Sequence, residues 1–250
     1  MPPVPGEKTI FQAQQRILLA STSPRRQAFL SGLGLAVTAL APPPGAEPSP
    51  LPGEAPEAYA VKAAEAKLFA TLPLAADLPE TSSHPKPGFV LVAADTIVVG
   101  KTGILGKPAS PKDALRMLCS LAGTTHTVIS ACSVLALRGT AETANSPGTK
   151  RSGALSANYS ARPDAPGLIP TSFAVSSKVS MWQAPEAVLR AYVDGGEPMD
   201  KAGAYAIQGN GAFLVSEVQG SWSNVVGLPM AELVQVLLQM KAIAPVAKER

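Results

Sequence analysis

The chain has 250 residues, of which 46% are hydrophobic and 16% charged, and its formal net charge is +3. That length allows one sizeable globular core or two small ones, and so mild a charge does not indicate a nucleic-acid-binding surface. With only His84 and His126, a histidine-rich metal site is excluded, and Cys119 and Cys132 are expected to be buried thiols. The amino-terminal residues lack the features of a signal peptide, so we expect a cytoplasmic protein that does not bind membranes.

The first predicted strand, residues 16–20, is short and apolar and leads directly into the sequence STSPRR. Ser23 suits a helix N-cap and Pro24 the first helical position, so a helix is predicted to begin here. Hydroxyl groups and two arginines at a helix start indicate an anion site. An ordinary capped surface helix with solvated arginines remains the alternative.

A proline- and glycine-rich loop is predicted next, over residues 41–56, and then a helix over residues 58–72 that carries Lys62 and Lys67. The polar residues that follow, up to residue 88, indicate a surface loop in which His84 is solvated.

The most informative stretch is FVLVAADTIVVG, residues 89–100. A run this apolar and this short predicts a strand covered on both faces, because a membrane span needs about 20 apolar residues. Asp95 interrupts the run, and a carboxylate in a dry core must be paired, metal-bound or catalytic. The alternative is a bulge or strand end at which Asp95 caps a backbone amide.

The rest of the chain continues the alternation of strands and helices. A turn containing Lys107 precedes a helix that opens at Ser110-Pro111. The later predicted elements are a strand over 124–137, a loop over 138–168, an antiparallel strand over 171–181, a helix from Ala184-Pro185, an irregular loop over 197–211, strands over 212–218 and 222–226, and a helix with Leu233, Val234, Leu237 and Met240 on one face. The order predicts an α/β (α+β) fold around a mixed sheet.

Six segments, in this order, resemble the Maf nucleotide pyrophosphatases: STSPRR, AADTIVV, GKP, GTTHTV, GEPMDKAGAYAIQG and NVVGLP. The resemblance implies a fold similar to the inosine triphosphate pyrophosphatases, with a long mixed β-sheet, flanking helices and a cleft between two lobes. It implies a single domain over 1–250, with a flexible segment over 1–14 and surface loop insertions over 75–88 and 138–168. The implied activity is hydrolysis of nucleoside triphosphates to the monophosphate and pyrophosphate, using Mg²⁺ or Mn²⁺.

The resemblance also assigns roles to individual residues. Arg25, Thr96 and Gln208 match the branch that acts on dTTP and UTP, which implies a dTTP/UTP pyrophosphatase. Asp95 would be the catalytic proton acceptor. Residues that would hold the triphosphate are Ser21, Ser23, Arg26, Lys67, Lys107 and Lys201. Glu47 and Asp95 would bind the metal, and Glu54 is the alternative to Glu47.

Three questions stay open at this level. Asp95 could act on the attacking water directly or hold the metal that lowers the pKa of that water. The chain could be a nucleotide-binding regulator of cell division, or a purine-selective enzyme of the inosine-triphosphate type. A homodimer is one assembly that the resemblance allows. His126 is expected to be structural.

Overall fold

The computed structural model describes residues 9–79, 84–137 and 168–246. Within them the chain forms nine β-strands and six α-helices. The strands are β1 (Phe11–Ala13), β2 (Arg16–Ala20), β3 (Val37–Leu40), β4 (Phe89–Gly100), β5 (Gly103–Leu105), β6 (Thr125–Leu137), β7 (Thr171–Met181), β8 (Val215–Gln219) and β9 (Ile243–Pro245). The helices are α1 (Pro24–Gly32), α2 (Pro56–Ala76), α3 (Pro111–Leu121), α4 (Glu186–Asp194), α5 (Trp222–Val226) and α6 (Met230–Gln239).

Seven of these strands form one mixed sheet, in the order β3-β2-β4-β6-β7-β8, with β5 also paired to β4. Strand β2 runs parallel to β3 and β4, and the other pairs in this sheet are antiparallel. The predicted α/β class, a long mixed sheet with flanking helices, is confirmed.

Side chains of β4 alternate between two covered faces of the sheet. Leu91 and Ala93 pack in a cluster with residues of α2, whereas Val90 and Val92 pack with residues of α1 and α6. A third cluster joins Val98 to α3 and α4. This alternation places Asp95 on the α2 face and Thr96 on the opposite face, so neighbouring residues of one strand have different surroundings.

Several predicted elements are confirmed by the structure. Strand β4 covers the whole run from Phe89 to Gly100, β6 and β7 pair antiparallel, and α1 begins at Pro24. Helix α3 begins after Ser110, whose hydroxyl accepts a hydrogen bond from the Asp113 amide at 3.2 Å. Ser23 occupies the N-cap position of α1, but its side chain makes no capping hydrogen bond.

The strand predicted over residues 222–226 is wrong, because this segment is helix α5. Its β-branched pair suggested a strand, yet the Ser221 hydroxyl caps a helix by accepting from the Asn224 amide at 3.2 Å. Gly227, with a φ of 123°, ends the helix in a conformation that favours glycine. The other late strand is displaced, since Asn210–Leu214 forms a 3₁₀ helix before β8.

Two loop boundaries also differ from the prediction. The segment expected to be flexible over 1–14 includes β1, whose Phe11 lies opposite Pro245 of β9. The loop expected over 75–88 begins later, because α2 continues through Pro73 to Ala76, and leucine and alanine, which favour helices, follow the proline. Residues 1–8, 80–83 and 138–167 lie outside the described residues, and this last range holds nearly all of the predicted 138–168 insertion.

Strands β3 and β5 are additions that the sequence patterns did not predict. The turn expected before Lys107 contains β5, which forms a hairpin with the end of β4.

Among side chains, His84 is half-buried and not fully solvated, and Cys119 is exposed whereas Cys132 is buried as expected. In the described part of the chain, no helix is long and apolar enough to cross a membrane.

Candidate active site

The candidate site lies at a gap along one edge of β4. Strand β6 pairs with one edge of β4 over almost its whole length. On the other edge of β4, pairing with β2 ends at Ala93 and pairing with β5 begins only at Val98. Among the described strands none pairs with residues 94–97 on this edge, and the turn between β2 and α1 lies there.

A cavity of about 970 Å³ opens at this gap. That volume is near the upper end of the range for small-molecule sites. The structure brings all the predicted site residues to its lining: Ser21, Ser23, Arg25, Arg26, Glu47, Lys67, Asp95, Thr96, Lys107, Lys201 and Gln208.

Asp95 forms an ion pair with Lys67 on the α2 face of the sheet. Lys67 belongs to the buried stripe of α2, with Ala63, Ala64 and Leu68 beside it. Its Nζ lies 2.5 Å from Asp95 Oδ1 and 2.7 Å from Glu47 Oε1. The lysine charge therefore compensates two carboxylates: the buried one of Asp95, and that of Glu47 on the loop before α2.

The alternative acidic residue, Glu54, lies elsewhere. Its carboxylate accepts hydrogen bonds from Lys62 at 2.7 Å and from the Leu51 amide at 2.9 Å, and it is not among the residues that line the cavity. Both bonds and the positive charge of Lys62 help to lower the pKa of Glu54, with the Leu51 amide contributing most. Of the two glutamates, Glu47 is the one that faces Asp95.

Arg26 holds the other side of the gap together. Its Nη1 donates to the carbonyl of Ala94 at 2.9 Å and to Ser21 Oγ at 3.2 Å, and its Nη2 donates to Thr96 Oγ1 at 3.0 Å. Its Nε donates to the carbonyl of Gly227 at 2.8 Å. These bonds occupy four of its five N–H groups, so most of its hydrogen-bonding capacity joins β2, β4 and α5. Burial lowers the pKa of Arg26, and the nearby charge of Asp95 acts in the opposite direction.

The irregular segment 197–211 forms the opposite wall and is closed on itself by Glu197. This carboxylate accepts from the amides of Asn210 and Gly211, at 2.8 and 3.1 Å, and from the Tyr192 hydroxyl at 3.0 Å. Burial acts to raise the pKa of Glu197, but these bonds and the charge of Lys201 outweigh it and lower the pKa. The closed loop carries Lys201, paired with Asp200, and Gln208 to the cavity.

Sequence reasoning missed the residues that support these walls. Tyr59 donates to the carbonyl of Pro48 at 3.1 Å and so anchors the loop that carries Glu47. Burial, with the charges of Asp95 and Glu47, raises the pKa of Tyr59. A tyrosine on the apolar stripe of a helix is typical of a core residue, so the sequence contained no signal for this contact. Glu197, the glutamate in the segment GEP, was visible in the sequence, but its hydrogen-bond partners were not.

Comparison with known proteins is consistent with this architecture. The profile of the Maf-like protein family matches residues 16–240. The chain belongs to the Maf-like protein family. A dTTP/UTP pyrophosphatase of Nitratidesulfovibrio vulgaris is 46% identical over 93% of this chain and 91% of its own length. Enzymes of the same name from Oleidesulfovibrio alaskensis and Desulfotalea psychrophila are 40% and 37% identical, over 94% of this chain and 90% and 100% of theirs.

A distant structural likeness adds little to this. The crystal structure of a nucleoside-triphosphatase, or dITP/XTP pyrophosphatase, from Mycobacterium abscessus gives a TM-score of 0.36 at 14% identity, covering 90% of this chain and 94% of that one.

Only one of the two ring nitrogens of His126 has a hydrogen-bond partner among the described residues. Its Nε2 lies 2.7 Å from the hydroxyl of Tyr205, a cavity-lining residue, and its buried Nδ1 has no hydrogen-bond partner among the described residues. Burial lowers the pKa of His126 to about 4 and raises the pKa of Tyr205. A neutral imidazole that supports the loop agrees with the expected structural role.

A divalent cation fits the donors of this Maf-like site. Glu47 and Asp95 converge on one ammonium group, which shows that both carboxylates can face one positive charge. Mg²⁺ is commonly held by one or two carboxylates together with substrate phosphates and water. Within the described residues there is no cluster of three or more histidine, cysteine, aspartate or glutamate side chains that could hold a metal alone, so the substrate would supply the remaining oxygens.

Proposed function

We propose that this protein hydrolyses dTTP and UTP to the nucleoside monophosphate and pyrophosphate. The observation that carries the proposal is the buried Asp95, which meets Lys67 at the gap in the sheet, inside a cavity that Arg25, Lys107 and Lys201 also line. An isolated carboxylate in this position would be costly, whereas one beside a cationic phosphate site is useful. The choice of dTTP and UTP as substrates follows the similar proteins, which are dTTP/UTP pyrophosphatases.

Asp95 is proposed to accept a proton from the water that attacks the α-phosphorus. Its Oδ1 is committed to Lys67, so Oδ2 is the atom for proton transfer. As the water oxygen bonds to the α-phosphorus, the bond to the bridging oxygen breaks and pyrophosphate leaves with that oxygen. Removing a positioned general base costs about 10²- to 10⁴-fold in rate.

Charge on the triphosphate would be compensated by the cations of the cavity. Lys107 is exposed at its rim, and Lys201 lies on the closed loop across from Asp95. Lysines act as point charges for phosphate, and the first turn of α1 adds amides without partners inside the helix. A cation held by Glu47 and Asp95, when bound, would neutralise charge on the phosphates and on the leaving pyrophosphate.

Arg25 and Gln208 are proposed to contact the base. Gln208 offers both a donor and an acceptor, as the edge of a pyrimidine requires. Ser21 and Ser23 line the same cavity beside the start of α1, where the phosphates would lie. Arg26 would contribute its charge more than new hydrogen bonds, since four of its N–H groups are already engaged.

The test is pyrophosphate release from dTTP, UTP, CTP, GTP, 7-methyl-GTP and ITP in the presence of Mg²⁺ or Mn²⁺. Turnover of dTTP and UTP is expected, with a loss of about 10²-fold or more in Asp95→Asn. Glu47→Gln should also lose activity, whereas Glu54→Gln, which changes a carboxylate outside the cavity, should keep it. Preference for ITP or 7-methyl-GTP would contradict the proposed substrate, and full activity of Asp95→Asn would contradict the proposed base.

A further inference from the structure

A chain of buried hydrogen bonds leads from the cavity into the sheet. It begins at Arg26 and Thr96, which line the cavity, and continues through Ser130 of β6 to Asn224 of α5. Ser130 and Asn224 are both 0% exposed. Neither residue is part of the proposed catalytic machinery, and both lie directly behind Thr96.

The direction of each hydrogen bond in this chain can be assigned. Ser130 Oγ lies 2.7 Å from the carbonyl oxygen of Asn224, and a carbonyl only accepts, so the single hydroxyl hydrogen of Ser130 is used there. Thr96 Oγ1 lies 2.8 Å from Ser130 Oγ, so the hydrogen between them comes from Thr96. Arg26 only donates, and it donates to Thr96 at 3.0 Å.

Asn224 is itself fixed by its surroundings. Its Oδ1 accepts from the Ser130 amide at 2.9 Å, and its Nδ2 donates to the carbonyl of Val128 at 3.0 Å. Because a backbone amide donates and a carbonyl accepts, these two bonds determine which end of the side-chain amide is oxygen. Nδ2 also donates to Ser177 Oγ at 2.8 Å, so the far end of the chain is anchored to β7.

The consequence concerns Thr96. Its hydrogen points to Ser130, and one of its lone pairs accepts from Arg26, which leaves a single lone pair for the cavity. The carbonyl of Gly227 is the other acceptor near its hydroxyl, but it is 3.4 Å away and already accepts from Arg26 at 2.8 Å. Thr96 therefore presents an acceptor to the cavity and no donor.

We propose that Ser130 and Asn224 are positioning residues that make Thr96 an acceptor-only contact for the base and thereby favour thymine and uracil over cytosine. The ring N3 of thymine and uracil carries a hydrogen, which can be donated to Thr96. The ring N3 of cytosine is an acceptor, so it would face a lone pair with no hydrogen between them, and such a mismatch discriminates between ligands. This inference rests on the proposed hydrolysis of dTTP and UTP.

The experiment measures kcat/KM for dTTP and dCTP with wild type, Ser130→Ala, Thr96→Val and the double variant. In Ser130→Ala the Thr96 hydroxyl loses its inward acceptor, and only the carbonyl of Gly227, 3.4 Å away, competes with the cavity for its hydrogen. We expect the dTTP-to-dCTP ratio to fall about tenfold, the effect of one hydrogen bond. Thr96→Val should lower the ratio similarly, and Ser130→Ala should add nothing further in that background.

Three variants separate positioning from general damage. Ser133→Ala removes another buried hydroxyl of β6, one bonded to Ser172 away from the cavity, and should leave the ratio unchanged. Thr96→Ser keeps the hydroxyl and should keep the ratio. If Ser130→Ala does not fold, Ser130→Cys fills the same space with a weak hydrogen-bonding group and should lower the ratio in the same direction.

The outcomes distinguish this inference from the function on which it rests. A wild-type enzyme that prefers dTTP, with the ratio unchanged in Ser130→Ala or Ser130→Cys, would overturn the positioning role alone. Additive effects of Ser130→Ala and Thr96→Val on the ratio would overturn it as well. If wild type hydrolyses neither nucleotide, the proposed function and this inference both fail.

Discussion

Lys67 shows how one side chain can belong to a core pattern and to an active site at once. It falls on the buried stripe of α2, where the neighbouring positions are alanine, leucine and threonine. Its side chain is only 11% exposed and that of Asp95 only 10%. Each charge is therefore acceptable in this position because the other is present.

Replacing Lys67 with methionine tests this dependence. Methionine keeps the length and the helix propensity of the residue but leaves Asp95 buried without its cation, so the free energy of unfolding should fall by about 3–5 kcal/mol. Urea denaturation measures the change. Recovery of part of that loss in a Lys67→Met/Asp95→Asn double variant would show that the unpaired carboxylate is the cause.

Glu47→Gln is the matched control for Lys67→Met. The side chain of Glu47 is 53% exposed, and an exposed ion pair contributes less than about 1 kcal/mol. A loss of stability in Glu47→Gln as large as in Lys67→Met would mean that burial is not what makes the Lys67–Asp95 pair important.

At the scale of elements, the closed loop 197–211 depends on close contact with β4. Gly203 has a φ of 69°, and its amide donates to the carbonyl of Gly106 at 3.0 Å, which joins the loop to the segment after β5. A Cβ at this position would lie 2.9 Å from Cγ1 of Val98. The loop therefore packs backbone against strand, and only glycine fits.

Gly203→Ala is expected to destabilise the protein by about 1–3 kcal/mol more than Gly196→Ala does. Both glycines have positive φ, at 69° and 80°, but a Cβ at Gly196 would meet nothing within 4 Å. The difference in melting temperature between the two variants isolates the packing contribution. Equal losses would mean that backbone strain alone accounts for the requirement.

The elements also show where sequence patterns suffice. Asp95 in an apolar run and the hydroxyls and arginines before α1 were visible because each breaks a local pattern. The hydrogen bonds of Glu197, Tyr59 and Ser130 were not, because their partners lie far along the chain or are backbone groups. Helix α5 was misread as a strand because five residues carry little periodicity, and the short strands β1, β3, β5 and β9 exist only through their pairing.

At the scale of the whole molecule, His126 makes the free energy of unfolding depend on pH. Its pKa is about 4 in the folded state against an ordinary value of 6.5, because burial disfavours the charged imidazole. The unfolded chain therefore binds more protons between these values. The stabilisation of the folded state that comes from keeping His126 neutral is complete above pH 6.5 and is lost as the pH falls towards 4.

We expect the free energy of unfolding to decrease by up to roughly 3 kcal/mol over this pH range. His126→Gln, which keeps a hydrogen-bonding group for Tyr205, should show a flatter dependence. Glu197 also titrates, but its lowered pKa confines its contribution to pH values below about its ordinary 4.5. Denaturant midpoints measured between pH 5 and 7 separate the two, and identical slopes in wild type and variant would contradict the assignment.

The pairing of β1 with β9 imposes an order on biosynthesis. Phe11 and Ala13 pack against the cluster that contains Ala242 and Ile243, so β1 cannot be covered on this side until β9 has been synthesised. A nascent chain stalled before residue 242 should leave this apolar edge uncovered, where a chaperone or protease could reach it. Synthesis of β9, and not emergence of the central sheet, would then be the step at which β1 becomes covered.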